Sequence, residues 1–295
     1  MYKNNKFLDY LLIRKEDSNK GTYGKTIIIG GSINYPGSIV IASSAALKCG
    51  VGYVCLGVTK SVYNRVACVN PEVIYEVFED DNFYDEKVLT KCLKYSSILF
   101  GNGIVDSKKE EALDFLLSNY KGKLIIDAGG LDALKNIGLN KLKESSAKIV
   151  LTPHLKEFER LFEVNVTNKH AIDLKDKCYS LAKEYNIVID LKDHESIITD
   201  GVNSYLINNG NAGLAKAGSG DMLAGMIASF IAYIDCSLLD AVSMSHFLMN
   251  EACKLVSKLK SYSLHSITAS DVIDTIGIVI RRYERGIKLI KAKYL

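Results

Sequence analysis

Between Thr26 and Leu191, short continuous apolar runs alternate with stretches of helical periodicity. Unbroken runs of Ile, Leu and Val bounded by glycine or polar residues are the pattern of strands buried on both faces, joined by crossover helices into a parallel sheet. The runs predict strands over 26–30, 52–57, 98–101, 124–127, 149–151 and 187–191, with helices over 38–49, 108–118 and 173–184 among those between them. After Leu191 the pattern changes. Residues 195–199 and 204–207, split by Asp200-Gly201-Val202-Asn203, read as an antiparallel hairpin, and from Ser219 onward the chain reads as helical over 219–234, 238–259 and 269–290. The acidic stretch 76–86 reads as a solvated loop or edge. The tail 281–293 reads as the solvated face of the last helix, with an oligomer contact as the sharper alternative.

Four predicted strands run into loops of glycine or polar residues: Gly30-Gly31-Ser32, Gly101-Asn102-Gly103, Asp127-Ala128-Gly129-Gly130 and Thr152-Pro153-His154. In open α/β sheets the ligand crevice lies beyond the carboxyl ends of the strands, so these loops are expected to converge on one site.

The composition narrows the function. At 295 residues the length alone suggests two domains, yet no linker, repeat or low-complexity tract divides the chain, and one domain over 1–295 is the reading. Apolar residues at 48% and charged residues at 24% exclude bulk disorder. A net charge of +3 gives no electrostatic footprint for nucleic acid. The first ten residues hold no apolar secretory segment, and the apolar stretch 222–234 is too short to span a bilayer, so no membrane partner is expected. Seven scattered cysteines without a CxxC pair read as reduced packing groups, which points to the cytoplasm.

The 22 glycines, against three prolines, concentrate the candidate chemistry. Gly210 to Asp221 is a glycine-rich loop running straight into the apolar helix that follows. Backbone N–H groups at such a helix start, with the dipole behind them, form an anion site. Gly218 and Gly220 allow a phosphate close to the backbone. Asp221 falls in the first helical turn, where the dipole favours an ionised carboxylate, the state a general base needs beside a phosphoryl group. The plainer alternative is a tight turn followed by an ordinary N-terminal helix acid. A Rossmann fingerprint is excluded, because Gly218-Ser219-Gly220 lacks the third glycine and lies late in the chain. A Walker A loop is excluded too, because Gly24-Lys25-Thr26 precedes a strand and Asn19 stands where the first glycine belongs.

His154 follows a strand and opens a helix, where it either meets a ligand or satisfies the helix start. The other four histidines show no metal-ligand spacing, so no protein metal centre is expected. Lys192 ends a strand within reach of phosphates, or is simply exposed. Asp127, at another strand end, reads first as a loop-capping acid and second as a magnesium or ligand contact.

Five ordered motifs across 19–274 resemble the ADP- or ATP-dependent NAD(P)H-hydrate dehydratases of the ribokinase-like superfamily. Lys20-Gly21-Thr22-Tyr23-Gly24 is similar to the KGxxG opening, and Gly31-Ser32 with Tyr35-Pro36-Gly37-Ser38 and Ala45-Ala46-Leu47 to the GS…GA…AAL segment. Gly101-Asn102-Gly103 is similar to the GPG loop, Leu151-Thr152-Pro153-His154 with Glu157 to LTPHxxE, and 211–225 to the NxGxAxGGTGDxLxG signature. Ser38 stands for the usual alanine, Asn102 for the proline of GPG, Ala217 and Ser219 for the first glycine and the threonine of GGTGD, and Asp193 for the glycine after the lysine.

The resemblance implies a ribokinase-like three-layer sandwich, with helices on both faces of a mostly parallel sheet. It implies Asp221 as the catalytic base, and Ser38, Gly103, His154 and Asp221 as contacts for the hydrated dinucleotide. It implies Lys192, Asp193, His194, Glu195, Ser196, Gly218, Ser219 and Gly220 as nucleotide contacts. Asp221 would accept the proton of the C6 hydroxyl of NADHX or NADPHX as that oxygen attacks the terminal phosphoryl of ADP or ATP, with Mg2+ on the phosphates. Family members often form tetramers, so a homo-oligomer is expected, and no epimerase-like domain is expected before Asn19. Two other readings stay open: a ribokinase-like kinase of a vitamin-precursor alcohol, and a nucleotide sensor without turnover.

Overall fold

The computed structural model describes residues 6–11, 13–79, 82–105 and 108–293, with the side chains of 285–293 outside the description. The apolar runs form strands β1 (Lys25–Ile29), β2 (Tyr53–Thr59), β3 (Ile74–Phe78), β4 (Ser97–Phe100), β5 (Lys123–Ile126), β6 (Lys148–Leu151) and β7 (Val188–Leu191). The hairpin is β8 (Ser196–Thr199) and β9 (Ser204–Ile207). The nine strands make one sheet in the order β3-β2-β1-β4-β5-β6-β7-β8-β9, parallel through β7 and antiparallel across β8 and β9. The hairpin turn is closed by Asp200, whose Oδ1 accepts from the Val202 and Asn203 amides.

Helices α1 (Pro36–Lys48), α2 (Lys60–Val66), α3 (Glu86–Cys92), α4 (Lys109–Asn119), α5 (Gly129–Ile137), α6 (Asn140–Glu144), α7 (Leu155–Phe162), α8 (Lys175–Tyr185), α9 (Ser219–Tyr233), α10 (Leu238–Lys260) and α11 (Ala269–Lys293) complete the chain. Successive strand residues point to opposite faces, and the core divides accordingly. Ile28, Leu99, Ile125 and Val150 pack with α1, α9, α10 and α11, while Ile27, Ile29, Phe100, Ile126 and Leu151 pack with α3, α4, α5, α7 and α8. The result is the expected layered α/β sandwich. β3 runs into the stretch that the sequence suggested as loop or edge, and it is one of the two edge strands, with β9 at the other end. No helix among the described residues is long and apolar enough to cross a membrane. All seven cysteines are unpaired, five of them buried. The tail side chains beyond Glu284, on which the solvated-face and oligomer readings rest, lie outside the described residues.

Two features of this frame position the site. β1 and β4 are neighbours, while the chain runs from β1 toward β2 and β3 on one side and from β4 onward on the other. That reversal is the topological switch point, where a crevice opens at the strand ends. The second feature is the close packing of α9 on α1, where a Cβ at Gly225 would collide with the Ala42 carbonyl oxygen. Gly225→Ala is therefore expected to destabilise despite a helix-propensity gain of about 1 kcal/mol, because overpacking typically costs about 1–3 kcal/mol. A lowered urea midpoint with unchanged slope checks this, and an unchanged or raised midpoint contradicts it.

Candidate active site

The glycine loop delivers Asp221 as the sequence suggested. Gly218 takes a left-handed conformation (φ 91°) as the N-cap, no side chain caps α9, and Asp221 is the third helical residue. Below it the helix is apolar and buried from Met222 to Ile231, which fixes its first turn against the sheet. The Ser219 amide points to the Lys216 carbonyl at 3.4 Å, and the Met222 amide to that of Gly218 at 2.9 Å.

The loops after β4, β5 and β6 meet beneath this helix start. Asn102 is fully buried, and its Nδ2 donates to Asp221 Oδ1 (2.7 Å) and to Asp127 Oδ2 (2.9 Å). Asp127 also accepts at Oδ1 from Thr152 Oγ1 (2.8 Å) and Lys192 Nζ (2.9 Å). One amide thus ties two carboxylates together, and a threonine and a lysine complete the second of them. Asn102 Oδ1 is buried without a hydrogen-bond partner, which the two carboxylates explain: both require a donor, so the NH2 group must face them. Gly101 makes the approach possible. Its φ is 124°, and a Cβ there would strike the backbone at Asp127 and Gly130.

The electrostatics follow from burial. Desolvation pushes the Asp221 carboxyl above its ordinary value, reinforced by Asp127 and opposed by the Asn102 hydrogen bond and the Lys192 charge. The helix start alone pointed the other way; burial wins. Burial also opposes the charge of Lys192, but Asp127, Glu157 and Asp190 outweigh it and hold its pKa above the ordinary lysine value. Lys192 therefore stays protonated, and it is an ion-pair partner rather than an exposed lysine.

Most of the remaining candidates line one cleft of about 890 Å³, between the β7–β8 loop, the glycine loop and α10. It brings together His154, Lys192, Asp193, His194, Glu195, Ser219 and Gly220. His154 is also the N-cap of α7, its Nδ1 accepting from the Glu157 amide, so the helix-start role is realised in the cleft wall. Ser196 turns inward: its Oγ bonds the Asp193 backbone and lies 3.3 Å from His246 Nε2. Gly218 packs toward Ile41 and Ala269. Ser38 Oγ bonds the Tyr35 carbonyl beside Gly103, next to Asn102 and hence to Asp221, in a second group that does not line the cleft holding His154. Asp127 is not a loop cap; its carboxylate bonds three side chains.

Asn102 and Thr152 were not recognised as site residues from the sequence, although each sits in a strand-end loop that was. The buried pair His246–Asp190 (3.3 Å), which backs Ser196, left no sequence signal. His170, 3.1 Å from Asp193, was likewise missed.

A family model described as NAD(P)H-hydrate dehydratase matches residues 26–276. The chain belongs to the NAD(P)H-hydrate dehydratase family. It is 33% identical to the ADP-dependent (S)-NAD(P)H-hydrate dehydratase of Staphylococcus aureus, over 92% of this chain and 94% of that protein. It is 34% identical to the bifunctional NAD(P)H-hydrate repair enzyme of Methanocaldococcus jannaschii, spanning 52% of that protein's length. Among solved structures, the ADP/ATP-dependent NAD(P)H-hydrate dehydratase of Bacillus subtilis, co-crystallised with ATP and Mg2+, superposes with a TM-score of 0.78 at 26% identity, covering 95% of this chain and 98% of that one. A ribokinase-like protein of Enterococcus faecalis superposes with a TM-score of 0.81 at 22% identity over 95% of each chain, so the fold of this family member is ribokinase-like.

Proposed function

We propose that the protein is an ADP- or ATP-dependent NAD(P)H-hydrate dehydratase that returns NADHX and NADPHX to NADH and NADPH. The observation that carries the mechanism is a carboxylate at the first turn of α9, tied by Asn102 to the switch-point loops and adjoining a cleft large enough for a nucleotide. Asp221 takes the proton of the C6 hydroxyl as that oxygen attacks the terminal phosphoryl. A base with a pKa raised by burial accepts that proton more readily than an ordinary carboxylate. The amides of Gly218 and Gly220 are the donors offered to the charge that develops on the phosphoryl oxygens, that of Ser219 being turned to the Lys216 carbonyl. The poor hydroxide leaving group becomes a phosphate ester. The ring nitrogen's lone pair then expels inorganic phosphate, and loss of the C5 proton restores the dihydropyridine. Ser38, Gly103 and His154 contact the hydrated dinucleotide, and Lys192, Asp193, His194, Glu195 and Ser196 form the nucleotide segment. In that segment Ser196 acts by shaping the loop.

Mg2+ fits as a companion of the nucleotide phosphates. Three of Asp127's contacts are already protein donors, and no group of three acidic or imidazole ligands gathers at Asp221 among the described residues. Mg2+ is ordinarily held by one or two carboxylates plus substrate phosphates, and with Asp221 kept free as the base it would be held chiefly by the phosphates of the nucleotide. When bound it neutralises phosphate charge.

The test is incubation with NADHX, Mg2+ and either ADP or ATP. Recovery of dihydronicotinamide absorbance with stoichiometric phosphate release is expected. Nucleotide binding without recovery would favour a sensor, and phosphorylation of an unrelated alcohol a kinase.

A further inference from the structure

Two histidines that lie 24 residues apart in the sequence close on one carboxylate. His170, the residue before a short 3-10 helix (Ala171–Leu174), places Nδ1 3.1 Å from Asp193 Oδ2. His194 places Nδ1 3.4 Å from Asp193 Oδ1, and the two rings stand edge to face with centroids 5.0 Å apart. The candidate ligand atoms of all three residues lie within 4.8 Å of one another, the one such trio among the described residues. Asp193 is itself pre-set: its side chain is 15% exposed, and its oxygens accept from the Ala171 amide (3.0 Å) and the His194 amide (2.7 Å). The imidazoles are exposed and can adjust, while the carboxylate is anchored.

We propose that His170, Asp193 and His194 form a binding site for a divalent transition metal of the zinc type. Donor chemistry selects the ion. Imidazole suits zinc, copper, iron and nickel, whereas magnesium and calcium take oxygen ligands, so this site is distinct from any Mg2+ brought by the nucleotide. Geometry agrees. Bonds of about 2.0–2.1 Å to nitrogen and oxygen in a tetrahedron place neighbouring donors roughly 3.3 Å apart, and each imidazole already stands at about that spacing from one carboxylate oxygen, His170 from Oδ2 at 3.1 Å and His194 from Oδ1 at 3.4 Å. Gathering both exposed rings on one ion needs them to swing toward a shared carboxylate oxygen, or the carboxylate to bind through both oxygens, over separations of no more than 4.8 Å. Three protein ligands leave a position for water or an anion, the arrangement of open rather than closed zinc sites. Because Asp193 and His194 line the cleft while His170 belongs to a separate segment, a bound ion would staple that segment to the cleft rim. Asp193 stands where the family pattern has glycine, so the central ligand is this chain's own departure.

The experiment titrates the metal-free protein with ZnCl2 by calorimetry and with CoCl2 by visible absorption. One saturable equivalent is expected, lost or weakened in both His170→Ala and His194→Ala by at least the roughly 10–100-fold typical of a ligand's lost supporting partner. His265→Ala, an exposed histidine elsewhere, should bind as the parent does. Absence of saturable binding in the parent overturns the site. So does binding that survives both single replacements, or a cobalt spectrum with thiolate charge transfer, which would place the ion on a cysteine.

Discussion

Asp221→Asn is expected to lower kcat by about 10²–10⁴, the range that positioned proton transfer contributes. The substitution isolates the charge. Asparagine has the shape of aspartate, its side-chain oxygen can still accept from Asn102, and the N-terminal turn of α9 keeps its backbone. Neither folding nor the cleft has reason to change, so KM for the nucleotide should move little while turnover falls. Ser219→Ala is the graded comparison. Ser219 also lines the cleft at the helix start, but alanine leaves its backbone amide in place and removes only the hydroxyl. Its loss should be clearly smaller. Recovery of NADH from NADHX under saturating ATP or ADP, with phosphate release measured alongside, separates the two. Near-parental turnover by Asp221→Asn would remove Asp221 from the role of base.

How much of this site the sequence carried depended on whether its parts are local. α9 and Asp221 are legible because a glycine-rich loop, an acid and an apolar helix follow one another within a dozen residues. β4, β5, β6 and β7 are legible because strands buried on both faces must be continuously apolar. β3 (Ile74–Phe78) is not. As an edge strand it carries Glu76 in its middle and a half-exposed Ile74, and it merges into an acidic stretch. The link between Asn102, Asp127 and Thr152 is hidden for a different reason. Each residue ends a different strand, and only the parallel register of β4, β5 and β6 brings the three ends level. The convergence of His170 and His194 on Asp193 is hidden in the same way. The protonation tendency of Asp221 was read from the helix start, but burial of the first turn is a tertiary property and sets the sign.

Asn102 offers the second large effect, and its direction follows from that sign. A base works only when ionised, so activity is present above the pKa of Asp221 and is lost as pH falls through it. Burial raises that pKa, so the acid limb of kcat should lie above the ordinary aspartate value of about 3.9. The Asn102 hydrogen bond is the first influence holding it down. Asn102→Ala removes a donor shared by two carboxylates, and the limb must move further toward neutral pH. A hydrogen bond to a charged group is worth roughly 1.5–3 kcal/mol, so below the limb the variant should be slower by about tenfold to a hundredfold or more. At alkaline pH both proteins have Asp221 ionised, and most of the difference should disappear. That recovery distinguishes positioning and charge control from general damage, since a collapsed loop would depress the rate equally at every pH. Proline, the residue of the family pattern at this position, has no side-chain donor either. Asn102→Pro should therefore shift the limb in the same direction. A pH-independent loss in Asn102→Ala, or a limb that stays in place, would show that the amide bridging Asp127 and Asp221 does not govern the base.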